Sequence, residues 1–293
     1  MPSGVPGLQA PGFDNSREFA FSDADFIALR ALVHRVTGIS LADTKRNLVY
    51  GRLSRRLRAL GLESFAEYRQ LLESDPDGAE MVEFCNAITT NLTSFFRELH
   101  HFEYLRQHVL APLTQESAGR RVRIWSAGCS TGEEPYSIAM TVSEALGESP
   151  GVDLKILATD LDSNVLARAR SGIYSADQTK GIPSPQLARF FDAQNKGEVS
   201  VYSVKPTVSR LITFKQLNLM HELPMRGPLD VIFCRNVVIY FDKETQRQLF
   251  QRFARLQRPN DLLFIGHSES LFKVSEAYTL IGKTIYRRNE SPA

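Results

Sequence analysis

The residues best suited to chemistry lie in the stretch Trp125 to Tyr136, W-S-A-G-C-S-T-G-E-E-P-Y, where Gly128 and Gly132 are followed at once by Glu133 and Glu134. A phosphate held at a helix start needs bare backbone N–H groups and is commonly met by a lysine. Two carboxylates would repel it. They suit an adenosine derivative carrying ammonium and sulfonium charges, and S-adenosylmethionine fits that description. A plainer reading stands beside this one: Thr131 with Glu134 has capping-box form and Pro135 suits a first helical turn, so the acids would only finish the helix.

Other polar residues fall where strands should end. The run A-T-D-L-D puts Asp160 at a strand end, where a carboxylate can accept from both hydroxyls of a ribose or else cap the next helix. In Q-L-N-L, Asn218 and Leu219 set a polar group and an apolar wall at the adjoining strand end, as an adenine would need. The run I-F-C-R-N-V-V-I-Y brings Arg235 and Asn236 out of a buried strand, with Tyr240 about one turn later. It lacks the N-P-P-Y or D-P-P-Y turn that grips a flipped base, which disfavours methylation of a nucleic-acid base. Residues 89–102, T-T-N-L-T-S-F-F-R-E-L-H-H-F, read as a helix with Phe95, Phe96, Leu99 and Phe102 on its packing face. Asn91, Thr93 and Arg97 are polar groups near its start, and Arg97 also reads as a surface arginine paired with Glu98 or Glu103.

The elements that must position these groups follow from hydrophobic periodicity. Strands are expected at Val122 to Ala127, Leu154 to Thr159, Leu211 to Gln216, Asp230 to Cys234 and Leu262 to Ile265, with helices between several of them. A terminal hairpin follows, Tyr278 to Ile281 and Thr284 to Arg287 around Gly282-Lys283. This is an α/β pattern: a doubly wound, mostly parallel sheet whose ligands gather at the carboxyl ends of the strands. Alternation around Val201, Ser203 and Lys205 predicts a small inserted β-subdomain at about 190–209. Upstream, helices at Ser22 to Val36, Asp43 to Leu60, Phe65 to Leu72 and Glu80 to Thr90 make an all-helical unit. The expected organisation is a flexible tail at 1–15, a helical domain at 16–90 and an α/β domain at 91–293.

Composition narrows the classes. The chain has 293 residues, 43% hydrophobic and 23% charged, as in a soluble globular protein. Its longest apolar runs are strand-sized, and its first residues lack the basic and apolar regions of a signal peptide, so a cytoplasmic location without membrane insertion is expected. Cys85, Cys129 and Cys234 form no C-x-x-C pair, and the histidines show no H-E-x-x-H spacing, so neither a disulfide framework nor a metal is expected.

Together these motifs resemble the chemotaxis receptor methyltransferases, which esterify glutamate side chains on the cytoplasmic helices of chemoreceptors. The resemblance rests on the three motifs around Arg97, Glu134 and Asp160, on A-R-S-G-I-Y at 169–174, on I-F-C-R-N-V-V-I-Y-F-D at 232–242 and on G-H-S-E-S at 266–270. It implies a class I S-adenosylmethionine-dependent methyltransferase whose cofactor contacts fall on Asn91, Thr93, Arg97, Glu134, Asp160, Asn218, Leu219, Arg235 and Asn236. Arg97 and Tyr240 would face the methyl group and the incoming carboxylate. It also implies that the helical domain docks on the receptor.

One segment matches that docking role. Between Lys45 and Gly61 stand six basic residues, Lys45, Arg46, Arg52, Arg55, Arg56 and Arg58, and no acid. Lys45, Arg52 and Arg56 share a helix edge beside Val49, Leu53, Leu57 and Leu60. The expected partner of a monomeric enzyme is a receptor helical bundle bearing glutamates rather than nucleic acid. Relatives of this type that tether to a receptor's C-terminal pentapeptide carry glycines in the β-subdomain loop, where this chain has only Gly197, so tether-independent recognition is expected. A nucleic-acid methyltransferase of the same fold and a non-catalytic receptor adaptor are the competing readings.

Overall fold

The computed structural model describes residues 17–114, 119–147, 151–196 and 199–290; the expected tail at 1–15 and the loop glycine Gly197 lie outside them. The chain divides into two compact units, one essentially residues 1–88 and the other residues 89–293 with 37–39.

In the first unit, α1 (Asp23–Thr37), α2 (Arg46–Leu60), α3 (Phe65–Ser74) and α4 (Ala79–Ile88) follow one another. Val49, Leu53 and Leu57 of α2 are fully buried, as their spacing requires, whereas Leu60 at the helix end is exposed. Gly61 closes α2 in the left-handed conformation, and Ser64 caps α3 by accepting from Glu67 N.

The second unit is built on a seven-stranded sheet of order β6-β2-β1-β7-β8-β10-β9. Its strands are β1 (Arg120–Ala127), β2 (Val152–Asp160), β6 (Ile212–Gln216), β7 (Val231–Cys234), β8 (Leu262–Ile265), β9 (Tyr278–Gly282) and β10 (Ile285–Arg288). All pairings are parallel except those of β10 with β8 and β9. The expected doubly wound sheet with a terminal hairpin is therefore present. Alternate residues serve opposite faces: Ile124, Val231, Phe233 and Phe264 join the core beneath the helix Glu133–Leu146, while Trp125, Ile232, Leu263 and Ile265 join the core under Lys243–Arg255. The chain runs outward from β1 through β2 to β6, then returns to β7 on the other side of β1. That reversal opens a crevice at the carboxyl ends of β1, β2 and β7.

A separate antiparallel sheet of order β3-β5-β4 combines β4 (Phe191–Lys196) and β5 (Val199–Val204) with β3 (Ile173–Ser175). The small inserted β-subdomain expected at about 190–209 matches β4 and β5; the third strand lies outside that range and is only three residues long.

The segment before β1 departs from expectation. Residues 91–94 have no regular structure, 95–99 form turns, and α5 (His100–Tyr104) begins only at His100. Phe96 and Glu98 have φ of 52° and 58°, and Leu99 is exposed, so the four apolar residues do not share a helix face. The backbone groups that a helix would use are taken by tertiary partners: Phe96 N donates to Ser137 Oγ at 2.9 Å, and Arg97 O accepts from the Arg235 guanidinium.

Candidate active site

The loop leaving β1 needs its glycines. Gly128 and Gly132 have φ of 91° and 99°, and a Cβ would come within 2.4 Å of Val237 at the first and 2.7 Å of the Tyr174 hydroxyl at the second. Gly128 N and Cys129 N both donate to Thr159 O, at 2.8 and 2.9 Å, folding the loop over the end of β2. The helix that follows is capped by Gly132 without any side chain, so the capping box does not form. Thr131 Oγ1 donates instead to Glu133 Oε2 at 2.6 Å, and Glu134 turns inward.

Glu134 is buried and accepts from Ser126 Oγ at 2.7 Å and from Arg235 Nη1 at 3.0 Å. Arg235 Nη2 lies 3.5 Å from Glu98, and its guanidinium packs over the Phe102 ring at 5.6 Å. Glu98 also accepts from His267, from the backbone N at 3.2 Å and the ring at 3.1 Å. Arg235 favours the ionised form of both glutamates, but their net shifts run in opposite directions because burial differs. Burial raises the pKa of the fully enclosed Glu134 despite the arginine; at Glu98, which keeps contact with solvent, burial is outweighed by Arg235 and His267 and the pKa is lowered. Glu98, His100 and His101 bring ligand-type atoms within 4.8 Å of one another, but Arg235 already supplies positive charge to that carboxylate.

At the end of β2, Asp160 is buried, with Oδ1 accepting from Asp162 N at 3.0 Å and Oδ2 from Ser130 N at 2.7 Å. Burial pushes its pKa up to about 6 against those two hydrogen bonds. Asp162, not Asp160, caps the next helix, accepting from Asn164 N at 2.9 Å. The Asn91 amide donates to Asp162 Oδ2 at 2.7 Å, and Asn91 O accepts from Ser130 Oγ at 3.0 Å. Arg97 is half-buried and donates to Leu92 O at 3.0 Å, which leaves part of its guanidinium uncommitted; Thr93, four residues earlier, is also half-buried.

The remaining expected residues line the strand ends on either side. Asn218, half-buried, accepts from Met220 N at 2.9 Å, while Leu219 is buried in the core shared with Trp125 and Ile232. Asn236 has φ of 57°, directly after Arg235, and Tyr240 closes a 3-10 turn, Val238–Tyr240. Tyr240 is half-buried, and its hydroxyl has no partner among the described residues.

Residues 91–287 match the family model described as the CheR methyltransferase S-adenosylmethionine-binding domain, and residues 24–89 match its all-alpha domain. The chain belongs to the CheR methyltransferase family. It is 44% identical to the chemotaxis protein methyltransferase of Salmonella typhimurium over the whole of both chains. It is 45% identical to chemotaxis protein methyltransferase 2 of Pseudomonas aeruginosa, covering 98% of this chain and 99% of that one. A third relative, the chemotaxis protein methyltransferase of Escherichia coli, is 44% identical over 92% of this chain and 93% of that one. This CheR-family protein is accordingly an S-adenosylmethionine-dependent methyltransferase.

The crevice fits that cofactor. Arg235 Nε is buried and lacks a hydrogen-bond partner, a costly state unless a ligand acceptor such as the methionine carboxylate meets it. The acidic helix start and the loop without lysine exclude phosphate there, in agreement with the same choice.

In the helical unit, most of the basic charge of α2 is already paired. Arg46 bonds Asp23, Arg58 bonds Glu18 at 2.8 Å, and Arg56 bonds Glu80 at 2.9 and 2.5 Å through Nε and Nη2. Arg52 Nη1 donates to Ile88 O at 2.6 Å. Lys45 and Arg55 are exposed and form no ion pair among the described residues. The sequence shows no acid within the basic run, yet acids from elsewhere in the unit supply the counter-charge.

Sequence reasoning assigned no role to Ser126, Gln246 or Glu269 and saw Glu98 only as a neighbour of Arg97. A buried acid in G-H-S-E-S was the available signal for Glu269; nothing marked the other two.

Proposed function

We propose that this enzyme transfers a methyl group to glutamate side chains on chemoreceptor helices, giving methyl esters that tune chemotactic adaptation. The single observation that carries the cofactor half of this reading is the partnerless, buried Nε of Arg235 at the carboxyl end of β7. The receptor half draws on the relatives named chemotaxis protein methyltransferases.

Bound S-adenosylmethionine supplies an electrophilic sulfonium methyl. Arg235, braced by Glu134 and Glu98, holds the methionine carboxylate, and Asp160 holds the ribose through the lone pairs left over from Asp162 N and Ser130 N. Asn218 and Leu219 bracket the adenine, with Asn91, Thr93 and Asn236 completing the wall. Arg97 and Tyr240 orient the incoming carboxylate in line with the methyl. No side chain need take a proton, because a glutamate is already ionised at pH 7. Positioning and exclusion of water therefore do most of the catalysis.

Docking falls to the basic edge of α2, Lys45, Arg46, Arg52, Arg55 and Arg56, with Lys45 and Arg55 carrying the uncommitted charge. The enzyme works in the cytoplasm as a monomer, on the receptor bundle and without a pentapeptide tether. Micromolar affinity for the receptor C-terminal pentapeptide would overturn the last point.

The decisive experiment incubates the full chain with methyl-labelled cofactor, a receptor cytoplasmic fragment and RNA. Label on the receptor that is released by mild base as methanol supports glutamate esterification. Base-stable label, label on RNA, or receptor binding without transfer would each defeat it.

A further inference from the structure

The segment G-H-S-E-S, residues 266–270, holds a buried acid, Glu269, that has no ion pair among the described residues. Its charge is met by backbone N–H groups. Oε2 accepts from Asn236 N at 2.9 Å and from Gly266 N at 2.5 Å, and Oε1 accepts from Ile239 N at 3.2 Å. These donors belong to the end of β8 and to the turn between Arg235 and Tyr240. From the other side the buried Gln246 donates to Val238 O at 2.8 Å and to Phe241 O at 3.0 Å. One turn thus has its N–H groups gathered by a carboxylate and its carbonyls by a carboxamide.

Asn236 in that turn sits at φ 57°, in the left-handed region that few residues with a side chain adopt and that asparagine adopts more readily than most. Gly266 presses against it so closely that a Cβ there would lie 2.4 Å from Asn236 Nδ2. A buried carboxylate without a cation is an expensive way to fill a core, and burial alone would raise its pKa. Apolar packing would stabilise the fold more cheaply, whereas only a two-oxygen acceptor can hold several diverging N–H groups at once.

We infer that Glu269 is a positioning residue for methyl transfer, fixing the Asn236–Tyr240 turn so that Tyr240 meets the incoming carboxylate while Glu269 touches neither cofactor nor substrate. This rests on the reading of Tyr240 as facing the incoming carboxylate. Glu269→Gln keeps the side-chain size but sets an amide donor against one group of N–H donors. Gln246→Leu releases the same turn from its carbonyl side.

With the full chain and the receptor fragment, both variants are expected to lose about tenfold to a hundredfold in kcat, the scale of a small misplacement at a reacting centre. Cofactor affinity and receptor KM should stay within about threefold, which marks a loss confined to the transition state. A wild-type kcat in either folded variant overturns the inference, as does a parallel fall of kcat and cofactor affinity. If Glu269→Gln does not fold, the kcat of Gln246→Leu decides. Tyr240→Phe, assayed alongside, separates the two readings. A wild-type rate there removes the role of Tyr240 itself, whereas a slow Tyr240→Phe beside a fast Glu269→Gln removes only the role of Glu269.

Discussion

Arg235 and Arg56 each bridge two glutamates, yet the two arrangements do different things. Arg235 lies 3.0 Å from Glu134 and 3.5 Å from Glu98, buried, with Nε left over. Arg56 meets Glu80 through Nε and Nη2 and lies 3.8 Å from Glu83, half-buried, with the hydroxyl of Tyr68 joining Glu80 at 2.8 Å. The α2 arginine has spent its inner donors on its own chain, so its ion pair fastens α2 to α4. The crevice arginine keeps a donor in reserve where burial makes an empty donor costly, which supports the proposal that its ion pairs aim it at a ligand.

The strongest way to break this contrast is Arg235→Ala. It would strand Glu134 as a buried, unpaired carboxylate, a change that costs about 3–5 kcal/mol. On the proposed cofactor contact it would also remove the partner of the cofactor carboxylate, lowering affinity by about a hundredfold, since a lost charge-assisted bond is worth about 3 kcal/mol. Calorimetric titration and thermal melting check both at once. Unchanged affinity in the folded variant would end the assignment of Arg235 to the cofactor.

Arg56→Glu should show the opposite signature. It sets a third carboxylate against Glu80 and Glu83, and about 2 kcal/mol of stability should be lost from the half-buried network. Cofactor affinity should not move. Methylation assays with this variant, or with a pair that includes Arg52, would confuse loss of docking with loss of the α2–α4 contact.

Asp160 sharpens the contrast through pH. Its folded pKa, raised to about 6 from 3.8, means that it contributes stability fully present below pH 3.8 and lost as pH rises through about 6. With Asp160 holding the ribose as proposed, cofactor binding needs the carboxylate and should gain as stability declines. Affinity is expected to fall about tenfold from pH 7 to pH 5, one unit below the folded pKa, and to be flatter over that range in Asp160→Asn. A flat profile in the unsubstituted protein would show that the ribose does not depend on this ionisation.

These contrasts mark how much the sequence could disclose. Strand ends are set by hydrophobic periodicity, so the placement of Glu134, Asp160, Asn218 and Arg235 at one edge of the sheet was legible from local patterns. What each side chain bonds to was not. Glu134 looked like a capping residue because Thr131 lies three positions before it, but Arg235, more than a hundred positions away, turns it inward. The helix expected around Phe95 fails for the same reason, since Ser137 and Arg235 capture its backbone groups. On α2 the local run of bases was read correctly and its charge was not, because Asp23, Glu18 and Glu80 come from segments that no spacing rule connects to it.

The smallest expected effect tests what remains on α2 once those pairs are discounted. Lys45 and Arg55 touch no acid among the described residues, so reversing both to glutamate should leave the melting temperature unchanged, as surface changes away from any network stay within about 0.5 kcal/mol. If the uncommitted charge steers an acidic receptor helix, KM for the receptor fragment should rise about threefold to tenfold at low ionic strength, with kcat preserved. The difference should shrink toward nothing in about 0.5 M salt, where screening falls to a few ångströms. An effect that salt does not erase would mean that these side chains make specific contacts rather than a field. No effect at any ionic strength would leave α2 with a purely structural role and would move receptor recognition to another surface.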